Sequence, residues 1–160
     1  MLNRICFSGL LVALVAVTSW ADDKPASKND IKLSDAEKEV LELTNAQRKA
    51  ANLPALQPNE KLLKAARSHS ENMAKQQKLA HDLDDKSPFD RVKALGYEFS
   101  SCGENVAMGQ RTPKEAMESW MKSEGHRANI LNSSFAEIGI GQAKDANGQV
   151  YWTQVFGAPR

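Results

Sequence analysis

The chain is poor in cysteine, with only Cys6 and Cys102 among 160 residues. Cys6 falls in an apolar run, residues 5–17, that has the layout of a secretory signal. Arg4 gives the run a positive start, and Ser19-Trp20-Ala21 places small residues where a signal peptidase reads. Residues 1–21 are therefore expected to be a cleaved signal peptide. The run is shorter than the roughly 20 residues of a membrane span. Cys6 opens it rather than following it, which argues against a lipid anchor. Cleavage leaves Cys102 alone, so the exported domain has no internal disulfide in a compartment that permits them. About 140 residues remain, enough for one domain to hold itself by packing. Two readings of Cys102 stay open: a small buried hydrophobe in a monomer, or an exposed thiol that links two copies or binds a soft metal.

The chain also lacks a charge of one sign. The signal removes Arg4 and no acidic residue, leaving 20 basic against 20 acidic. No basic excess directs it to nucleic acid or to an anionic membrane. No later stretch is apolar enough to span a bilayer. There is no His-Glu-x-x-His, no Cys-x-x-Cys and no Gly-x-Ser-x-Gly, so three sequence-legible routes to zinc and serine chemistry are missing. Internal repeats and low-complexity tracts are absent too.

What is present reads as one domain over residues 34–160, after a flexible polar lead-in at 22–33. Ser34-Asp35-Ala36-Glu37 is a capping box, and the helix it starts carries Val40, Leu43, Ala46 and Ala50 on one stripe. A second helix is expected over 59–79, with Leu62, Ala66, His69 and Met73 on its apolar face. Ser87-Pro88 starts a short helix that stops at Gly96. Thr112-Pro113-Lys114-Glu115 starts another, which carries Ala116, Trp120 and Met121 and ends near Gly125. The period then changes. Residues 137–141 read as a strand whose glycines admit another backbone. Asn147-Gly148 is a hairpin turn, and residues 150–156 form a well-covered return strand. Helices followed by an antiparallel hairpin give an α+β layered domain.

The three histidines differ in context. His69 lies on an apolar stripe and reads as a core histidine held by a buried hydrogen bond. His81, at the end of the second helix, is either a helix-end imidazole favoured by the dipole or a site residue. His126 follows Gly125 in an expected turn, open to a cleft. Glu104, in Gly103-Glu104-Asn105, and Glu124 read locally as solvated loop charges. Imidazoles and carboxylates converging from separate loops suit zinc or a similar divalent ion, though their spacing alone does not specify it.

Five segments taken in order resemble the superfamily of cysteine-rich secretory proteins, wasp venom antigen 5 and plant pathogenesis-related proteins, in its compact bacterial branch. They are Leu43-Thr44-Asn45-Ala46-Gln47-Arg48, residues 66–74, Gly103-Glu104-Asn105-Val106-Ala107, residues 120–131, and Tyr151-Trp152-Thr153-Gln154-Val155-Phe156. The resemblance implies an α-β-α sandwich, with a small antiparallel sheet between helices, and a cleft of two histidines and two acids. His81, Glu104 and His126 match three of the four. The second acid falls at Ser123, and Glu124 is one step on, about 100° around a helix. The disulfide framework and cysteine-rich tail of eukaryotic members are missing, so roles tied to that tail do not transfer. The function implied is a secreted binding module. Its His81/Glu104/His126 cleft would take Zn2+ or another divalent cation, with a lipid, cell-envelope component or protein as partner. The alternatives are a metal-dependent hydrolase with Glu104 as general base, or an interaction domain whose cleft is vestigial.

Overall fold

The structure is a computed structural model and describes residues 31–160. The expected signal at 1–21, and the lead-in up to residue 30, lie outside the described residues. The elements run α1 (Asp35–Ala50), β1 (Gln57–Pro58), α2 (Glu60–Gln76), α3 (Pro88–Ala94), β2 (Phe99–Met108), α4 (Pro113–Lys122), α5 (Glu124–Ile130), β3 (Glu137–Lys144) and β4 (Val150–Pro159). The sheet order is β1-β3-β4-β2. β4 is central and pairs antiparallel with both β3 and β2. β1 adds a two-residue parallel edge to β3, the one departure from the expected antiparallel sheet.

Alternation along β4 separates two cores. Trp152 and Phe156 pack with Val40 of α1, Trp120 of α4 and Ile130 of α5. Val155 packs with Leu62 and Ala66 of α2 and Val92 of α3. The sheet is therefore covered on both faces, as an α-β-α sandwich.

The caps form much as the sequence predicts. Ser34 Oγ accepts from Glu37 N, and Glu37 Oε2 accepts from Ser34 N. Ser87 and Asp90 make the same reciprocal pair at α3. At α4, Thr112 accepts from Glu115 N, but the Glu115 carboxylate accepts from Arg111 N instead of closing the box.

Four expectations need correction. The buried face of α1 is Glu37, Val40, Thr44 and Arg48, whereas Ala46 and Ala50 are exposed. Polar residues take the inner face because each finds partners there. Arg67 binds Glu37, Gln154 donates to Thr44, and Arg48 donates to the carbonyls of Pro54, Ile130, Asn132 and Phe135 at 2.8–3.1 Å. Helix α2 stops at Gln76, because Gln77 adopts a left-handed conformation (φ 52°) and the next amides turn back on Met73 and Ala74. Gly103-Glu104-Asn105 is not a solvated loop but the middle of β2, with Glu104 buried. α4 stops at Lys122 and Ser123 breaks the chain, so Gly125 and His126 lie within α5 rather than in a turn.

The strand glycines have the role read from the sequence. A Cβ on Gly139 would stand 2.0 Å from the carbonyl carbon of Leu62, and one on Gly141 2.4 Å from that of Ala66. α2 thus lies directly on β3, and only glycine admits it. Among the described residues no helix is long and apolar enough to cross a membrane.

Candidate functional site

The alternation of β2 directs its polar residues to opposite faces. Cys102 and Val106 pack on the α2 side, and Ala107 on the α4 side. Glu104 therefore projects toward α2 and α3, and Asn105 toward α5.

Glu104 is the hub of the first face. Its side chain is 2% exposed, and each oxygen is engaged. Oε2 accepts from an Arg91 guanidinium nitrogen at 2.6 Å. Oε1 lies 2.9 Å from His81 Nδ1 and 3.8 Å from His69 Nε2. A carboxylate only accepts, so His81 Nδ1 carries the proton. That leaves His81 Nε2 with no partner among the described residues, on a ring whose side chain is 50% exposed. Arg91 also donates to the carbonyls of His81 and Lys86, fixing the loop that follows α2.

His69 is fully enclosed. Its Nε2 lies 2.8 Å from the Ala80 carbonyl, which again makes that nitrogen the donor. The hydrogen bond read from the sequence is present, and it ties α2 to the His81 loop. Nδ1 is left buried and unpartnered among the described residues.

On the other face, Asn105 donates to the His126 carbonyl and to Gln154, which donates in turn to Thr44 of α1. Asn129 donates to the Glu104 carbonyl and to Asn105 Oδ1. This satisfied amide chain sets α5, and so His126, against β2.

The three imidazoles titrate differently. The hydrogen bond that His81 donates to Glu104 raises its pKa above the ordinary histidine value, against the opposing effect of burial. Burial lowers His69, and the nearby Glu104 charge only partly offsets this. Burial, then the charge of His81, lowers His126. His81 and Glu104 are in direct contact.

Glu124 does not join them. It is exposed, on a surface groove with Lys122, Arg127 and Leu131. It precedes His126 by two positions of one helix, about 200° around the axis. Ser123 is half-buried at the N-cap of α5 and makes no side-chain cap bond. Among the described residues, no three of His, Cys, Asp and Glu form a group arranged to hold a metal ion. Both Glu104 oxygens already accept hydrogen bonds, from Arg91 and His81, which leaves the free imidazole nitrogen of His81 as the open donor of this cluster. His81 has the carboxylate–histidine arrangement of a metal ligand with an outer-shell partner, and His126 is held toward its neutral form.

Beside the hub lies a cleft of about 580 Å³ between α2 and residues 83–95. Lys64, Ser68 and His69 line one wall, and Leu83, Arg91 and Leu95 the other. Cys102 packs among Tyr97, Val155 and their neighbours, half-buried. Burial and the Glu104 charge push its thiol up to about 11. Reading the sequence missed Arg91 altogether. A single arginine on a short helix carries no local sign of what it will touch.

Similarity to known proteins agrees with this architecture. Residues 41–156 match the model of the cysteine-rich secretory protein family, CAP. The Bacillus subtilis protein YkwD is 44% identical over 125 residues, covering 78% of this chain and 48% of YkwD. The chain thus spans about half the length of that relative. An extracellular SCP-domain protein from Bacillus anthracis superposes with a TM-score of 0.69 at 30% identity, over 76% of this chain and 40% of that one. An outer surface protein from Borrelia burgdorferi gives a TM-score of 0.75 at 21% identity, over 81% and 97% of the two chains, a likeness of fold. The five motifs, the layered sheet and the matched span lead to one conclusion: this chain belongs to the cysteine-rich secretory protein (CAP) family.

Proposed function

We propose that this domain is an exported binding module that takes a divalent cation, zinc by its ligand chemistry, on His81 and His126. The supporting observation is the 2.9 Å contact between His81 Nδ1 and Glu104. It fixes the ring and its tautomer, and it directs basicity to Nε2. His126 supplies the second imidazole. Glu104 acts through His81 rather than as a ligand, and Glu124 takes no part. A bound zinc ion would provide a Lewis-acidic anchor for a carbonyl or anionic group of a further ligand. The body of that ligand, a lipid or cell-envelope component, belongs in the neighbouring cleft, whose volume lies within the range of small-molecule sites. Export is supported by the layout of residues 1–21 and by the extracellular and outer-surface relatives.

Calorimetric titration with zinc tests the reading. The intact domain should bind one ion, and both His81→Ala and His126→Ala should weaken binding by at least about tenfold. No heat with the intact domain, or heat unchanged in both variants, overturns it.

A further inference from the structure

Three oxygens converge on Arg91. One guanidinium nitrogen donates to Glu104 Oε2 at 2.6 Å. Another donates to the carbonyls of His81 at 2.9 Å and Lys86 at 3.0 Å. One carboxylate and two backbone carbonyls are the donor types of a hard cation such as Ca2+ or Mn2+. Here the positive charge comes from the chain itself. The Arg91 side chain is 11% exposed and Glu104 2%, so the pair is poorly screened. The two carbonyls sit near the two ends of a short loop, whose Leu83 and Lys86 also bond to each other. Arg91 thus gathers the loop, presents His81 to Glu104 and occupies the second carboxylate oxygen. A dication approaching Glu104 meets a fixed positive charge and finds no free oxygen.

We propose that Arg91 is a positioning residue that serves as the resident cation of this site. It orders the His81 loop without a metal, and it keeps any divalent ion off Glu104 and on the imidazoles. Only the last clause rests on the zinc reading above.

The experiment is a pair of titrations, Zn2+ and Mn2+, on the intact domain, Arg91→Ala, Arg91→Gln, Arg91→Lys, Glu104→Gln and the double variant Arg91→Ala/Glu104→Gln. Manganese seeks oxygen ligands and so reports on the vacated cage. The intact domain and Arg91→Lys should bind Mn2+ no better than background. Arg91→Ala should gain Mn2+ affinity by at least about tenfold, and the double variant should lose that gain. Arg91→Gln retains a neutral donor for Glu104 and serves if Arg91→Ala does not fold. A merely structural arginine would give variants that bind nothing new. Folded Arg91→Ala and Arg91→Gln with no gain in Mn2+ affinity overturn the inference. So does Mn2+ binding by the intact domain that disappears in Glu104→Gln. A gain in Mn2+ affinity with no zinc bound to the intact domain would uphold Arg91 and end the zinc reading. Zinc bound with no gain in Mn2+ affinity would do the reverse, and failure of both would end both.

Discussion

Two arginines hold this domain together, and they do so differently. Arg48 is completely enclosed on the α1 side of the sheet, where its guanidinium donates to four backbone carbonyls and pairs with no carboxylate among the described residues. Arg91 stands at the edge of the other layer and donates to two carbonyls and one carboxylate, beside a half-exposed histidine. The first arrangement joins the end of α1 to the segment between α5 and β3, and nothing in it can change partner. The second is open to solvent through His81, and its carboxylate is shared with an imidazole. The same side chain makes a structural clamp where every acceptor is neutral backbone, and part of a responsive site where one acceptor carries charge.

The sharpest way to break the comparison is to remove each arginine. Arg48→Ala leaves four backbone acceptors without their donor, those of Ile130 and Phe135 buried, and should cost about 4–5 kcal/mol, measured as a shift in denaturant midpoint. Arg48→Lys should rescue little, since one ammonium cannot reach all four. Arg91→Ala should cost less, about 3 kcal/mol, the low end for a broken buried pair, because His81 still partners Glu104 and water can reach the loop it releases. Equal losses, or a larger loss at Arg91, would show that the two clamps are not different in kind.

A smaller effect separates the two regions by pH. His81 has a raised pKa in the fold, so its contribution is fully present below its ordinary value near 6.5 and is lost as pH rises through the folded value. His69 and His126 are lowered, so their contributions are present above 6.5 and are lost as pH falls through the folded values. Between pH 6 and 8, Glu104→Gln should remove the His81 component, a change of under about 1 kcal/mol after solvent screening. Unfolding curves of the intact protein and Glu104→Gln that keep the same pH slope would rule out the coupling. The Arg48→Ala curve should keep the slope of the intact protein, because among the described residues the Arg48 guanidinium bonds only backbone carbonyls.

The smallest expected difference concerns Cys102. A thiol held near 11 carries little thiolate at neutral pH. Alkylation should be slower than for an unfolded control, and non-reducing electrophoresis should show monomer. A disulfide-linked dimer would mean that the half-buried thiol reaches another copy after all.

How much of this could be read in the sequence depended on how local the cause was. The starts of α1, α3 and α4 were legible because a cap and its partner lie within four residues. The hairpin at Asn147-Gly148 and the close approach at Gly139 and Gly141 were legible because glycine states its backbone requirement directly. The inner face of α1 was misread because Thr44 and Arg48 are polar, and their burial is satisfied by residues as distant as Gln154 and Phe135. Gly103-Glu104-Asn105 reads as a loop in the sequence because both faces of β2 mix polar and apolar side chains, which conceals the two-residue period.

The site follows the same division. The order of the five motifs identified the family, and with it came the expectation that His81, Glu104 and His126 share a cleft. By itself, then, the sequence determined the caps, the turn, the glycine contacts and the family. Only the tertiary structure decided what Glu104 is. The pairing of Glu104 with Val155 turns its carboxylate into the α2 layer. There it is buried between Arg91 and His81, neither of which shares a local element with it. A buried charge must find its partners, and a chain finds them by folding. No spacing along the sequence records that Arg91 would fill the place of a cation.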